Sequence, residues 1–325
     1  MSTLSALPSR RSYLIVSPLG ERGQHVVKDP FSGAYYHLGA EESFLLLKLD
    51  GTCTRDRIRD EFKDEFDEPL EDDDLDDFLE LARSSNFIDY ADGEARSQSP
   101  APAPDAAPRS YEQSILYWRK PVFDPDKLFD WLEPKLRWIW TLPFVLVSSL
   151  LMIVAVAVLW SQREAATTQF AQAMRWQTFF IAWLTLIACT TAHEFAHGLT
   201  CKHWGGRVRE VGFFLIFFLP AFYCDVSDAW LMREKSKRLW VTLAGAWCDL
   251  SIWALSVFVW RLSMPDTLLN YLAWVVMSIT GVRTFFNFNP LLKLDGYYLL
   301  SDATGIFNLR QRSWDRFMAT LRWLL

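Results

Sequence analysis

Two histidines spaced four residues apart are the residues of this chain best suited to chemistry. His193 and His197 lie in the sequence Thr-Ala-His-Glu-Phe-Ala-His-Gly, an H-E-x-x-H motif, and the chain has 5 histidines in all. Residues four apart lie on one face of an α-helix, so both imidazoles can reach one metal ion. Glu194 follows directly and can reach a water molecule on that ion. The spacing predicts a zinc site that activates water for peptide hydrolysis.

Two histidines do not complete a catalytic zinc site, which usually has three protein ligands and one open position. Asp295 is the predicted third ligand, because an acidic residue among apolar neighbours is costly in a membrane unless it is paired or bound to a metal. Pro290 disfavours a continuous helix and lets the chain unwind to present Asp295. Lys293 is unexpected in this apolar setting; it could pair with Asp295 or Asp249, or extend to the membrane interface.

The elements that must position these residues are apolar helices. Residues 1–110 are polar and acidic, whereas the long apolar runs lie further along the chain. About 20 apolar residues cross a bilayer as a helix. Four runs satisfy this: residues 140–160, 179–197, 239–262 and 268–288. A shorter run, 211–223, contains Pro220 and is predicted to be re-entrant or half-inserted.

Basic residues predict the orientation of these spans. They precede the first span, follow the second and precede the third: Lys120, Lys127, Lys135, Arg137, Lys202, Arg207, Arg209, Arg233, Lys235, Lys237 and Arg238. Positively charged loops stay on the cytoplasmic side, and the first residues lack the apolar core of a signal peptide. We therefore expect a multi-pass α-helical protein of the lipid bilayer with a cytoplasmic N-terminus. No basic patch of the size that nucleic acid requires is present, which excludes that partner.

The chain divides by composition into three parts. Residues 1–91 have short strand-like runs followed by helical patterns, which predicts a small α+β domain. The strand-like runs are residues 12–16, 24–28 and 33–38. Residues 92–109 alternate proline and alanine without a large apolar residue, as flexible linkers do. Residues 110–325 hold an amphipathic segment around Trp131, predicted to lie on the membrane surface, and then the membrane core.

Three motifs follow one another along the membrane core. They are His193-Glu194-x-x-His197, Asn289-Pro290 and Leu294-Asp295-Gly296. With the surrounding helices, over roughly residues 140–302, they resemble the site-2 protease family of intramembrane zinc metalloproteases. The resemblance implies that His193, His197 and Asp295 bind zinc and that Glu194 is the catalytic base. The branch most similar is that of bacterial peptide zinc metalloproteases, which join such a core to a PqqD-like domain, and this implies a bacterial plasma membrane.

The chain also departs from that family. It has no inserted PDZ-like domain, and Ala-Gly-Ala-Trp-Cys-Asp at 244–249 stands where the family often has Ala-Gly-Pro-x-x-Asn. These departures bear on how a substrate is positioned. The candidate residues for positioning a substrate are Asn289, Asp249, Asp225 and Lys293.

Residues 12–91 resemble the PqqD-like family of small winged-helix domains. The resemblance rests on Asp-Pro-Phe-Ser-Gly-Ala-Tyr-Tyr-His-Leu at 29–38, on Leu-Asp-Gly-Thr at 49–52 and on the acidic helices that follow. Such domains often bind a leader peptide as an added strand, which implies a leader peptide as a partner here. The alternative is a structural or regulatory domain without a ligand.

Two alternative functions are therefore expected for the chain. The first is a zinc-dependent endopeptidase that hydrolyses a peptide bond in a membrane-associated protein or peptide. The alternative is a non-cleaving membrane component that binds a peptide through residues 12–91 and serves export or signalling. Glu194 distinguishes them, because only the first function needs a base.

Overall fold

The computed structural model describes residues 6–19, 23–89, 117–172, 176–216, 219–306 and 309–324. Most residues in these ranges are helical, and a small strand-and-helix region lies at the N-terminal end. The chain forms two compact units. The first unit comprises Met1–Ser110 with Trp230–Glu234, and the second comprises Tyr111–Ala229 with Lys235–Leu325. The linker predicted at 92–109 lies outside the described residues.

The first unit combines short strands with three helices. Its elements are β1 (Ser9–Arg10), β2 (Ile15–Pro18), β3 (His25–Lys28), β4 (Tyr35–Leu38), α1 (Ala40–Lys48), α2 (Arg55–Phe66), α3 (Asp72–Ser84) and β5 (Ile88–Asp89). Strands β2, β3 and β4 form an antiparallel meander, and β1 pairs with β5. Leu46, Ile58 and Leu75, one from each helix, are fully buried with Val27 in one core cluster. The helical spacing of these apolar residues therefore builds a hydrophobic core on one side of the meander.

The turn after α1 is fixed by local hydrogen bonds. Asp50 Oδ1 accepts from the backbone N–H groups of Thr52 at 2.7 Å and Cys53 at 3.0 Å. Gly51 has a φ of 83°, a conformation that favours glycine. Two hydrogen bonds from Thr52 lower the pKa of Asp50; the one from its N–H has the larger effect and the one from its hydroxyl the smaller. An Asp-Gly pair thus ends the helix by a defined turn.

The second unit contains the long helices and a second sheet. Its elements are β6 (Tyr117–Phe123), α4 (Asp126–Leu136), a 3-10 helix (Arg137–Trp140), α5 (Leu142–Ser161), α6 (Arg163–Gln172), α7 (Trp176–His203), β7 (Val211–Ile216), β8 (Leu219–Cys224), α8 (Lys235–Leu262), α9 (Leu268–Asn287), α10 (Asp295–Thr304) and α11 (Leu309–Leu324). A short 3-10 helix, Ser227–Leu231, precedes α8. Helix α8 packs against α5, α7, α9 and α10, so it is the central helix of this unit.

Four helices in the described part of the chain are long and apolar enough to cross a membrane. They are Leu142–Ser161, Thr178–His203, Lys235–Leu262 and Leu268–Asn287, with mean hydropathy between 1.2 and 2.8 in their most apolar windows. Only 11% of the window is buried in each of the first two and 39% in each of the last two. Large apolar side chains such as Leu142, Ile153 and Phe179 are therefore exposed on the protein surface. This surface suits contact with lipid rather than water.

The run at 211–223 forms two strands of an antiparallel sheet. Strands β6, β7 and β8 lie in that order, and Val211 is the partner of Cys224. Pro220 belongs to β8, an edge strand of this described sheet, where the missing N–H of a proline is tolerated. The run is too short to cross a bilayer as a helix, and its backbone groups pair between strands instead.

Candidate metal centre

Helix α7 brings the two histidines of the motif together. Both are buried, with 5% of His193 and 6% of His197 exposed. Their spacing of four residues places them one above the other on the helix. The two Nε2 atoms are 3.1 Å apart. One small ion can therefore contact both.

Asp295 is the first residue of α10 and reaches both histidines. Its Oδ2 is 3.0 Å from Nε2 of His193 and 3.2 Å from Nε2 of His197. In a tetrahedral zinc site with zinc–ligand distances of about 2.0–2.1 Å, the ligand atoms lie about 3.3–3.4 Å apart. The three atoms observed here are close to that arrangement. His193, His197 and Asp295 are thus a buried group that could hold a metal ion.

The other nitrogen of each imidazole has a hydrogen-bond acceptor. His197 Nδ1 donates to the backbone carbonyl of Val241 at 2.7 Å, and His193 Nδ1 donates to Asp249 Oδ2 at 2.9 Å. A carbonyl only accepts, so the proton of His197 is on Nδ1. When the rings are neutral, these partners therefore select the tautomer whose Nε2 carries a lone pair. Three electron-rich atoms at these distances repel one another unless they share a cation or a proton.

Two glycines make room for this group. A Cβ at Gly245 of α8 would lie 2.3 Å from His197 Nε2 and 2.5 Å from His193 Nε2. It would occupy the space beside both nitrogens that an ion needs. A Cβ at Gly296 would lie 2.5 Å from the carbonyl oxygen of Phe288. The absence of a side chain there lets α10 begin where Asp295 meets the histidines.

A second layer of polar residues surrounds the three potential metal ligands. Asp249 is fully buried, and Arg283 of α9 donates to both of its carboxylate oxygens at 2.8–3.1 Å. Asn287, also on α9, donates from Nδ2 to Asp295 Oδ2 at 2.6 Å. Each donor of the metal group thus has a partner that orients it, as in known metal sites.

Glu194 is oriented by the strand that ends beside it. The backbone N–H of Cys224, the last residue of β8, donates to Glu194 Oε2 at 3.1 Å. The other carboxylate oxygen has no hydrogen bond among the residues that the structure describes. Burial raises the pKa of the Cys224 thiol well above its ordinary value.

The four residues predicted to position a substrate have different surroundings. Asp249 contacts His193 and Arg283, as described above. Asn289 Oδ1 accepts from the N–H of Leu291 at 3.0 Å, a local turn. Asp225 Oδ1 accepts from the N–H of Ser227 at 3.1 Å, also a turn. Lys293 is exposed and forms no ion pair within the described part of the chain.

The prediction from sequence did not include Arg283 or Asn287. Arg283 lies in an apolar run, and a charge in such a run indicates a buried partner or a function. Asn287 is four residues further on, hence on the same face of α9. These two signals together could have located the second layer.

Comparison with protein families, with curated proteins and with solved structures finds no match. The chain's own residues therefore indicate its function, through two features: the four long apolar helices and the buried His-His-Asp group.

Proposed function

We propose that this chain is a zinc-dependent endopeptidase that hydrolyses a peptide bond at the membrane. The observation that carries the proposal is the convergence of three donor atoms, two imidazole Nε2 and one carboxylate Oδ2, within 3.0–3.2 Å of one another. The nitrogen and oxygen donors suit zinc, and three protein ligands leave a position open, as in catalytic zinc sites. Glu194 follows one of these ligands directly.

Each residue of the site has a role in this chemistry. A zinc ion, when bound, supplies Lewis-acid activation of a water molecule and of the peptide carbonyl. Glu194 Oε1 takes the proton from the attacking water and then delivers it to the leaving nitrogen. The N–H of Cys224 holds the other oxygen of Glu194 during both transfers. Asp249 and the Val241 carbonyl keep the two imidazoles in the required tautomer.

The sheet offers a way to present the substrate. A peptide in a membrane is helical and hides its peptide bonds, so it must unwind before hydrolysis. Strand β8 is an edge of the described sheet and ends at the residue that binds Glu194. A substrate added beside β8 as a strand would carry its backbone to Glu194.

The proposal includes the membrane and the family. The four apolar helices cross the bilayer, the N-terminus is cytoplasmic, and the membrane is the bacterial plasma membrane. The core is of the site-2 protease kind, and the first unit is a PqqD-like winged-helix domain whose partner is a leader peptide. What supports this is the order of motifs, the basic loops and the meander with three helices in the first unit.

Replacing Glu194 by Gln tests the proteolytic function. Wild-type protein and Glu194→Gln would be produced in a bacterium, and the peptide termini of its membrane fraction compared by mass spectrometry. Wild type should create new termini that the variant does not, while both purified proteins contain about one zinc per chain. His193→Ala, the control for the metal, should lose zinc and the new termini together. Identical termini with zinc-loaded Glu194→Gln would favour the non-cleaving alternative.

A further inference from the structure

Arg283 is a charged residue within α9, one of the four bilayer-length helices. Hydrogen bonds from its guanidinium group link three of these helices, α7, α8 and α9. Nε and Nη2 donate to Asp249 of α8, and Nη1 donates to Thr190 Oγ1 of α7 at 2.8 Å. None of these groups is among the three metal donors. A charge in such a helix is costly unless it is paired, so hydropathy alone does not account for an arginine at this position.

Asp249 transmits the position of Arg283 to the metal centre. Arg283 contacts both carboxylate oxygens, in the geometry that a planar guanidinium imposes on a carboxylate. The Oδ2 atom also accepts from His193 Nδ1 at 2.9 Å. Three N–H groups from two directions therefore fix the plane of this carboxylate. Without Arg283 the carboxylate could rotate about its last torsion and release His193.

We propose that Arg283 is a positioning residue of the metal centre. It holds Asp249 so that Asp249 directs His193 Nε2 toward Asp295 and His197, and Asp249 and Arg283 act as one unit. The inference rests on the proposed metal centre, but it is tested by metal binding and not by cleavage. His197 needs no such unit, because its Nδ1 donates to a backbone carbonyl. The effect of Arg283 therefore falls on His193.

A double-mutant cycle on the full chain tests the unit. The variants are Arg283→Met, Asp249→Asn and the double variant, and the probe is Co²⁺, whose visible spectrum reports ligand geometry, with Zn²⁺ as competitor. Each single change should weaken metal affinity by about 10- to 100-fold and alter the Co²⁺ spectrum. The double variant should bind no more weakly than the weaker single variant, because both changes break the same link. Arg261→Met, at the exposed end of α8, should leave affinity and spectrum unchanged.

Three outcomes would overturn the inference. Unchanged affinity in folded Arg283→Met would show that Asp249 needs no support. If the fold-losses of metal affinity in the two single variants multiply in the double variant, Arg283 and Asp249 have independent roles. If Arg283→Met does not fold, Arg283→Lys takes its place. An ammonium lacks the planar fork of nitrogens that contacts both carboxylate oxygens and Thr190, so wild-type affinity in folded Arg283→Lys also contradicts the proposal. A wild type that binds no metal would instead sink the proposed function, which separates the two failures.

Discussion

The two histidines of the motif are the same residue type but depend on different support. His197 is oriented by a backbone carbonyl, which no substitution at that position removes, whereas His193 is oriented by the Asp249 side chain. Gly245 of α8 faces both Nε2 atoms, and a side chain there would occupy the space beside them. At the scale of single residues, the site therefore depends on hydrogen-bond direction and on space.

Gly245→Ala should weaken metal binding by about 100-fold, the upper end of what changes around a metal site produce. The added methyl group would lie 2.3 and 2.5 Å from the two Nε2 atoms, so the donors must move apart. Isothermal titration with Zn²⁺ measures this. Gly281→Ala is the matched control, since its Cβ would lie 3.1 Å from Trp253 Nε1, away from the donors, and should change affinity by less than about 3-fold. Equal affinities for the two variants would refute the role of Gly245.

The sequence predicts the three donors better than it predicts their support. Helical spacing places both histidines on one face, and the cost of a carboxylate in an apolar run points to Asp295. The structure brings these three together. Asp249 and Arg283 lie 34 residues apart on different helices, and their pairing depends on how α8 packs on α9. Spacing within one helix contains no information on that packing.

Helix α10 is held at both ends. At its start, Asn287 binds Asp295 and Gly296 allows close contact with Phe288. Near its end, Asp302 lies 3.6 Å from Arg238 of α8, and only 5% of each residue is exposed. Most residues of the connection at 288–294 are exposed. The placement of Asp295 is therefore a property of the whole helix.

Asp302→Asn should weaken metal affinity by about 10-fold although Asp302 touches no metal donor. The change removes the carboxylate beside the buried Arg238 guanidinium, and breaking a buried pair loosens the packing of α10 on α8. Zinc competition and thermal unfolding together measure both effects. Asp266→Asn, on the exposed loop between α8 and α9, is the control and should alter neither. Lower stability with wild-type affinity would show that the pair stabilises the fold without placing Asp295.

The sequence predicts that the long helices exist more accurately than it predicts the residues at which they end. The four apolar runs correspond to the four long helices. The second was expected to end at residue 197, yet α7 continues to His203. Its last turn is stabilised by side chains of α4, because Lys202 pairs with Asp126 and His203 with Glu133, each at 2.8 Å. Hydropathy cannot indicate that, since these residues are polar and their partners are distant in sequence.

On the scale of the whole molecule, the metal group belongs to one of two compact units, and each unit has a hydrophobic cluster of its own. The first unit has its own buried cluster, which includes Leu46, Ile58 and Leu75. All donors of the metal group and all their partners belong to the second unit. The metal group therefore has no ligand or described hydrogen-bond partner in the first unit.

Deleting residues 1–91 should leave metal affinity unchanged within about 2-fold, because every potential ligand and every hydrogen-bond partner of the metal group belongs to the second unit. The truncated chain, purified in detergent, would be titrated with Zn²⁺ beside the full chain. The same truncation carrying His193→Ala is the control for specific binding and should lose it. A truncated chain that is helical but binds zinc far more weakly would show that the first unit supports the metal centre.

The metal group joins parts of the chain that are far apart in sequence. His197 and Asp295 are separated by 98 positions, and the stretch between them includes α8, α9 and the hairpin of β7 and β8. An ion shared by these residues would close that stretch into a loop, as a disulfide does in secreted proteins. Such a cross-link removes conformations from the unfolded chain, and the effect grows with loop length. Metal affinity and resistance to unfolding should then rise and fall together, so a bound ion would also stabilise the fold.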